Sequence, residues 1–257
     1  MKEKLLLAFD FAKRDFQQRY VGTGFGQLWY FIAPVITIFI YTVIFSDFMK
    51  MKMSIIDNSY SYSIYLVPGL LAWTSFSTII VRLNTSFFDK ANLIRKINVP
   101  MWVFQLSIIM TEFFTLMIAI LLGICFLLLV NQPVTWTFLW LIPIMLLQTL
   151  FAFGFGVILS LFTPFFRDLK ELVPIVIQLW FWATPIIYIK TMIATKYPYI
   201  LKFNPFFHFV DIYHNIFVYS KAPSFENILT ITVITFSSLG VAAYLYKKMV
   251  STIKDII

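Results

Sequence analysis

The chain is predicted to be an all-α polytopic membrane protein with six transmembrane helices and one amphipathic helix ahead of them. Three observations lead there. From Phe113 to Phe166 there are 54 consecutive residues without Asp, Glu, Lys or Arg, broken only by the polar turn Asn131, Gln132 and Pro133. A span needs about 20 apolar residues, so this block reads as two spans and a tight turn. The composition is 60% hydrophobic and 12% charged with a mean hydropathy of +0.85, against about 25% charged in a soluble domain. The apolar runs are continuous rather than alternating, which favours helices over barrel strands, because a helix satisfies its backbone groups internally.

Taken in order, residues 1–21 form the first element. Leu5, Phe9, Ala12, Phe16 and Tyr20 recur at spacings of four and three, with Asp10, Arg14, Gln17 and Gln18 opposite, as in a helix lying in the membrane interface. The run Leu5 to Phe9 is too short for the core of a signal peptide, so the amino terminus is expected to be retained. Gly22, Gly24 and Gly26 supply an elbow; with no preceding strand and no Gly-Lys-Ser/Thr ending they do not make a phosphate loop. Six spans follow, placed at Gln27 to Phe48, Ser63 to Val81, Trp102 to Val130, Trp136 to Phe162, Leu172 to Ile189 and Asn227 to Tyr246. No repeat or low-complexity tract is visible, so residues 1–257 are read as one transmembrane domain.

Six spans put both termini on one side, and that side collects 14 cations: Lys2, Lys4, Lys13, Arg14, Arg19, Arg82, Lys90, Arg95, Lys96, Arg167, Lys170, Lys247, Lys248 and Lys254. The other keeps 6, at Lys50, Lys52, Lys190, Lys196, Lys202 and Lys221, so the termini are expected in the cytoplasm. The net charge of +8 is largely this bias, scattered over span ends, and is no nucleic-acid footprint.

Few side chains point to chemistry. The loop Asn84 to Pro100 carries Asp89, Lys90, Asn92, Arg95 and Lys96 around Leu93 and Ile94, enough for a short amphipathic docking helix. Glu112 is the one charge that could enter a span, but Phe113 to Val130 alone covers about 27 Å, so Glu112 is expected at the cytoplasmic edge, paired with a basic residue such as Arg167. His208 and His214 flank Asp211 at a spacing that places them on different helix faces, and no metal site is expected. The single Cys125 excludes an intrachain disulfide.

The run Phe165-Phe166-Arg167-Asp168-Leu169-Lys170-Glu171, then Trp180-Phe181-Trp182-Ala183-Thr184-Pro185-Ile186-Ile187-Tyr188, resembles the signature region of the membrane subunit of ABC exporters that move polysaccharides: the O-antigen, capsule and teichoic-acid permeases. Tyr65-Leu66-Val67-Pro68-Gly69 with Trp73 and Phe76, Gly22 to Trp29, and Asn204-Pro205-Phe206 are similar as well, so the likeness extends along essentially the whole chain. It implies a homodimer in the bacterial inner membrane, bound to two copies of a separate ATPase that holds ATP and Mg, and exporting a lipid-linked polysaccharide, O-antigen first among the three. It implies that Asn84 to Pro100 holds the coupling helix, that residues 190–226 hold short outer gate helices with Asn204, Pro205, Phe206 and His208, and that Arg167, Asp168 and Glu112 sit at the cytoplasmic mouth. No Gly-x-x-x-x-Gly-Lys-Ser/Thr occurs in the chain, so it offers no recognisable ATP site and no cofactor of its own.

A sliding glycan needs surfaces that favour sugar faces without trapping them, and aromatic rings provide such faces. Tyr60, Tyr62, Tyr65, Trp73 and Phe76 in span two and Trp180, Trp182 and Tyr188 in span five are the candidates, although Trp and Tyr also gather at membrane interfaces for other reasons. Two other classes share this hydropathy. A membrane-embedded transferase for lipid-linked sugars calls for clustered acids, and the 12 here are dispersed; a secondary transporter calls for a repeat and intramembrane charges. An ATPase gene beside this one separates the exporter from both.

Overall fold

A computed structural model describes residues 2–50, 58–96, 99–194 and 197–256. Lys52, Lys196, residues 97–98 of the predicted coupling loop and the side chains of Asn92, Arg95 and Lys254 lie outside the described residues. Among the described residues every regular element is helical. They are α1 (Lys2–Gln18), α2 (Trp29–Thr42), α3 (Ser61–Asp89), α4 (Ala91–Lys96), α5 (Met101–Leu129), α6 (Leu141–Phe162), α7 (Leu169–Trp182), α8 (Lys190–Ala194), α9 (Pro198–Phe203), α10 (Pro205–Tyr219) and α11 (Phe225–Ile256). Five stretches are long and apolar enough to cross a membrane: Gly26–Phe48, Ser61–Asp89, Met101–Leu129, Trp136–Phe162 and Phe225–Ile253. The protein is a multi-pass membrane protein.

The expected fifth span is not one helix. Helix α7 has 14 residues, about 21 Å, too short for a core about 30 Å thick. The helix stops at Trp182, just before Thr184-Pro185, because proline disfavours helical geometry in the residue ahead of it and brings no N–H of its own. Residues 183–189 continue without helix, buried at 184–186 and half-buried on either side, and three of their carbonyls are met by side chains of α3: the Tyr62 hydroxyl donates to Ile187 O, and the Tyr65 hydroxyl donates to Pro185 O (3.3 Å) and Tyr188 O (3.0 Å). Irregular backbone is tolerated at such depth only when protein satisfies it in this way.

Both termini lie at the same end of the bundle. Helix α1 packs on the first half of α5, with Phe11 against Phe104 and Ala12 O accepting from Thr111 Oγ1, while Tyr246 of α11 accepts from Trp102 N. At the far end Asn58 donates to Val130 O. The elbow after α1 uses Gly22 (φ 87°) and Gly26 (φ 49°), whose left-handed backbone suits a residue without Cβ.

Helix α3 is the axis. It packs on α5, α6, α7 and α10, and 78% of its most apolar stretch is buried. Small residues allow the close approaches usual in membrane bundles. A Cβ at Gly156 of α6 would lie 2.6 Å from Leu83 Cδ1 and 2.9 Å from Leu83 Cβ, and one at Gly154 would lie 2.8 Å from the backbone of Ser238 in α11. Helix α10 fills the space behind α3: Phe206, Phe209, Ile212, Tyr213, Ile216 and Phe217 are all fully buried. By contrast α2 is held loosely, with only 11% of its apolar stretch buried.

Candidate functional site

Around α3, at 100° per residue, the side facing α7 is marked by Trp73, which meets Trp180 and Phe181, and by Asn84, which donates to Leu169 O. The opposite flank carries Arg82, bonded to Glu112 of α5, and Leu71, against Gly123 of the same helix. Between them an arc of about 100° carries Thr74, Ser77, Thr78, Val81, Thr85 and Phe88, exposed or half-buried, four of the six bearing a hydroxyl. A face turned to hydrocarbon is ordinarily filled with Leu, Ile, Phe and Val. This one is the floor of a polar groove, walled by α2 and α7.

Both walls present apolar side chains outward. On α2, Phe31, Val35, Phe39 and Ile40 are 44–64% exposed, and on α7 the same holds for Leu172, Ile175, Val176, Leu179 and Trp182, at 46–65%. The hydroxyls of the floor are bonded within their own helix, Thr74 Oγ1 to Leu70 O (2.8 Å), Ser77 Oγ and Thr78 Oγ1 to Thr74 O (3.0 and 2.7 Å), which leaves their oxygens as acceptors toward the groove.

The aromatic residues expected along a path are mostly inside the protomer. Tyr62, Tyr65, Trp73 and Phe76 are buried; the two tyrosines hold the irregular segment, and Trp73 and Phe76 join Trp180, Phe181 and Phe206 in one aromatic block. Tyr60 and Tyr188 are half-buried, the latter donating to Trp182 O (2.6 Å), and only Trp182 stands exposed on the groove wall.

Asn204 is buried and Pro205 half-buried at the junction of α9 and α10. Asn204 Oδ1 caps α10 by accepting from Phe206 N (3.1 Å) and Phe207 N (3.3 Å) and also accepts from Trp180 Nε1 (2.8 Å); Nδ2 donates to Thr184 Oγ1 (2.8 Å) and Ala183 O (3.2 Å). One amide therefore joins the end of α7 to the start of α10, with Pro205 at the helix position where a missing N–H costs nothing. His208 is half-buried on α10, and Lys190 pairs with Asp211 there at 2.6 Å. No group of three metal-binding side chains occurs among the described residues.

At the end bearing the termini, Glu112 is buried, with 2% of its side chain exposed, and its partners are Arg82 (2.5 Å) and Arg19 (2.8 Å). Arg82 also spans both oxygens of Asp15, at 2.8 and 2.7 Å. The pairing with Arg167 is not seen: Arg167 and Asp168 are exposed in the turn between α6 and α7. That turn is held by Asn84, which accepts from Thr163 Oγ1 (2.5 Å) and donates to Leu169 O (3.0 Å). The loop expected to carry the coupling helix contains α4, where Leu93 and Ile94 are half-buried, Ile94 packing beside Phe87 and Met101; Lys90 is half-buried, and Asp89 and Lys96 face outward. The floor hydroxyls of α3 escaped the sequence reading, although their spacing of three, four and seven was the signal for them.

Residues 10–218 match the family described as ABC-2 type transporter. The chain belongs to that family. The ABC-2 match begins inside α1 and ends inside α10, so the charge cluster, the groove and Asn204 all fall within it. The chain is also 31% identical, over 251 residues, to a protein of Klebsiella pneumoniae named O-antigen export system permease protein RfbA, covering 95% of this chain and 94% of the relative. A second Klebsiella pneumoniae protein of that name is 30% identical over 223 residues, covering 85% and 84%, and one from Myxococcus xanthus is 25% identical over 243 residues, covering 94% and 91%.

Proposed function

We propose that this ABC-2 chain is the permease subunit of an ATP-driven exporter that carries a lipid-linked polysaccharide, O-antigen in the first place, from the cytoplasm to the outer face of a bacterial inner membrane. The relatives' names support the cargo. The single structural observation that carries the reading is the hydroxyl-bearing floor of α3 between two walls that turn apolar side chains outward. A second copy of the chain, set against α2 and α7, covers those walls and closes the floor into a path. Sugars hydrogen-bond to hydroxyl and carbonyl oxygens without charge, so such a floor binds weakly and repeatedly along its length.

Without a phosphate loop in the sequence, energy comes from a separate ATPase holding ATP and Mg, two copies for two permease chains. Helix α4 and the exposed Arg167-Asp168 turn are its docking points, at the end where the cation bias places the cytoplasm. Helix α1, with Leu5, Leu6 and Phe9 exposed beside its packed Ala8 and Ala12, lies in that membrane interface. Helices α8 to α10 form the outer gate, anchored inward at Asn204. A transferase for lipid-linked sugars has no acidic cluster to hold a metal diphosphate among the described residues.

The test is a gene deletion in the source bacterium. Loss of surface polysaccharide with lipid-linked glycan accumulating on the inner face, restored by the wild-type gene, is expected; unchanged surface polysaccharide would overturn the reading.

A further inference from the structure

Behind α2 a partly open space of about 150 Å³ lies between α2, α3 and α5. It adjoins the groove at Thr74, which belongs to both. Its polar lining mixes donors with acceptors: Arg19, Tyr20 and Trp29 bring N–H and O–H groups, and the threonines bring oxygens. Thr37, Thr74, Thr78 and Thr115 spend their hydroxyl protons on Ala33 O, Leu70 O, Thr74 O and Thr111 O at 2.7–3.0 Å, so each offers only oxygen lone pairs. Ser75 is the exception: it is 92% buried, lines the space, and its Oγ has no protein partner. A buried hydroxyl left unpaired costs about 1–3 kcal/mol, so an occupant that pairs with it is favoured. Trp29 and Tyr20 add aromatic faces, and Glu112 with Asp15 balances Arg19 and Arg82, which leaves no net charge to attract an ion.

We propose that this chamber is a subsite for one sugar ring, entered from the groove when α2 moves aside. A lining of hydroxyl oxygens, a few N–H and O–H donors and aromatic faces calls for an uncharged guest rich in hydroxyls, and the volume, about that of five waters, suits a single pyranose ring rather than a chain. Helix α2 can yield: Pro34 interrupts its hydrogen bonding, residues Val43–Phe48 are π-helical, and little of it is buried. The proposal rests on the exporter reading, because it gives the path a place where one residue of the passing glycan pauses.

The test uses the full chain in lipid nanodiscs with Cys125→Ala, carrying Ser75→Cys in the chamber, Thr115→Cys on its α5 side, or Ser77→Cys in the groove. Modification by a small thiosulfonate reagent is timed with and without methyl glycosides of glucose, galactose, mannose and rhamnose. At least one glycoside is expected to slow modification at both 75 and 115 about tenfold at ten times its half-protecting concentration. Protection at 77 alone sinks the chamber and keeps the groove; protection at none of the three counts against both. Chamber cysteines that never react, or react at one rate whatever sugar is present, show a sealed or merely hydrated void and overturn the proposal.

Discussion

Helices α3 and α5 are neighbours of equal length, 29 residues each, running in opposite directions, and both would pass as spans. They differ in what they show. The outward side of α5 reads Phe114, Met117, Leu121, Cys125 and Leu128, one apolar ridge at spacings of three and four, with mean hydropathy 2.6 and 39% of its apolar stretch buried. Helix α3 has mean hydropathy 1.7 and is 78% buried, yet what it leaves open on the groove side is mostly hydroxyls, Thr74, Ser77, Thr78 and Thr85, with Val81 and Phe88 beside them. A helix with its apolar side chains inside and hydroxyls outside has its lipid-like environment in the protein and a polar medium beyond it. On the proposed function, α5 faces lipid and α3 faces the path.

The difference can be broken most directly by bulk. Ser77→Trp is expected to abolish export in a complementation assay, whereas Leu121→Trp on α5 should leave surface polysaccharide close to the wild-type level; equal loss from both would remove the distinction. Next in size is the charge cluster that ties the two helices to α1. Glu112→Ala leaves Arg19 without its partner and strips Arg82 of one of two, so a destabilisation of about 3 kcal/mol is expected, read as a lower Tm in detergent.

Glycines sharpen the contrast further. Gly156→Ala would press on Leu83 Cβ of α3 at 2.9 Å and should destabilise by about 1–3 kcal/mol, while Gly123→Ala on α5 meets the side-chain end of Leu71 at 3.1 Å and the Phe217 ring at an ordinary 3.6 Å and should stay below about 1 kcal/mol. Thermal unfolding of the two variants side by side decides this, and a larger effect at Gly123 would contradict the packing described. The smallest effect is expected for Thr85→Val, which loses only an exposed bond to Asp89 (2.7 Å) and should shift stability by less than about 0.5 kcal/mol.

Much of this architecture was legible in the residues. Continuous apolar runs placed all five crossings, three of them within a residue of their observed ends and two ending short of Asp89 and Ile253, where the helices run on into polar sequence; α1 follows from its periodicity, though its contact face is Ala8, Phe11 and Ala12 rather than the larger apolar stripe. Hydropathy could not show the break after Trp182, since Ile186, Ile187 and Ile189 are as apolar as a helix would need; only the proline betrays it. Residue type alone misled for the aromatics, because Trp73 and Phe76 lie toward α7 and α6 while the smaller hydroxyls on the other arc are the ones left open. The partners of Glu112 are 93 and 30 residues away, a pairing that only the fold can make.

The native cysteine makes the decisive measurement simple. In the full chain reconstituted in lipid, a membrane-impermeant, water-borne thiol reagent should leave Cys125 unmodified and should modify Ser77→Cys in a Cys125→Ala background. Modification of Cys125 with no reaction at position 77 would contradict the assignment of α5 to lipid and of α3 to a polar path.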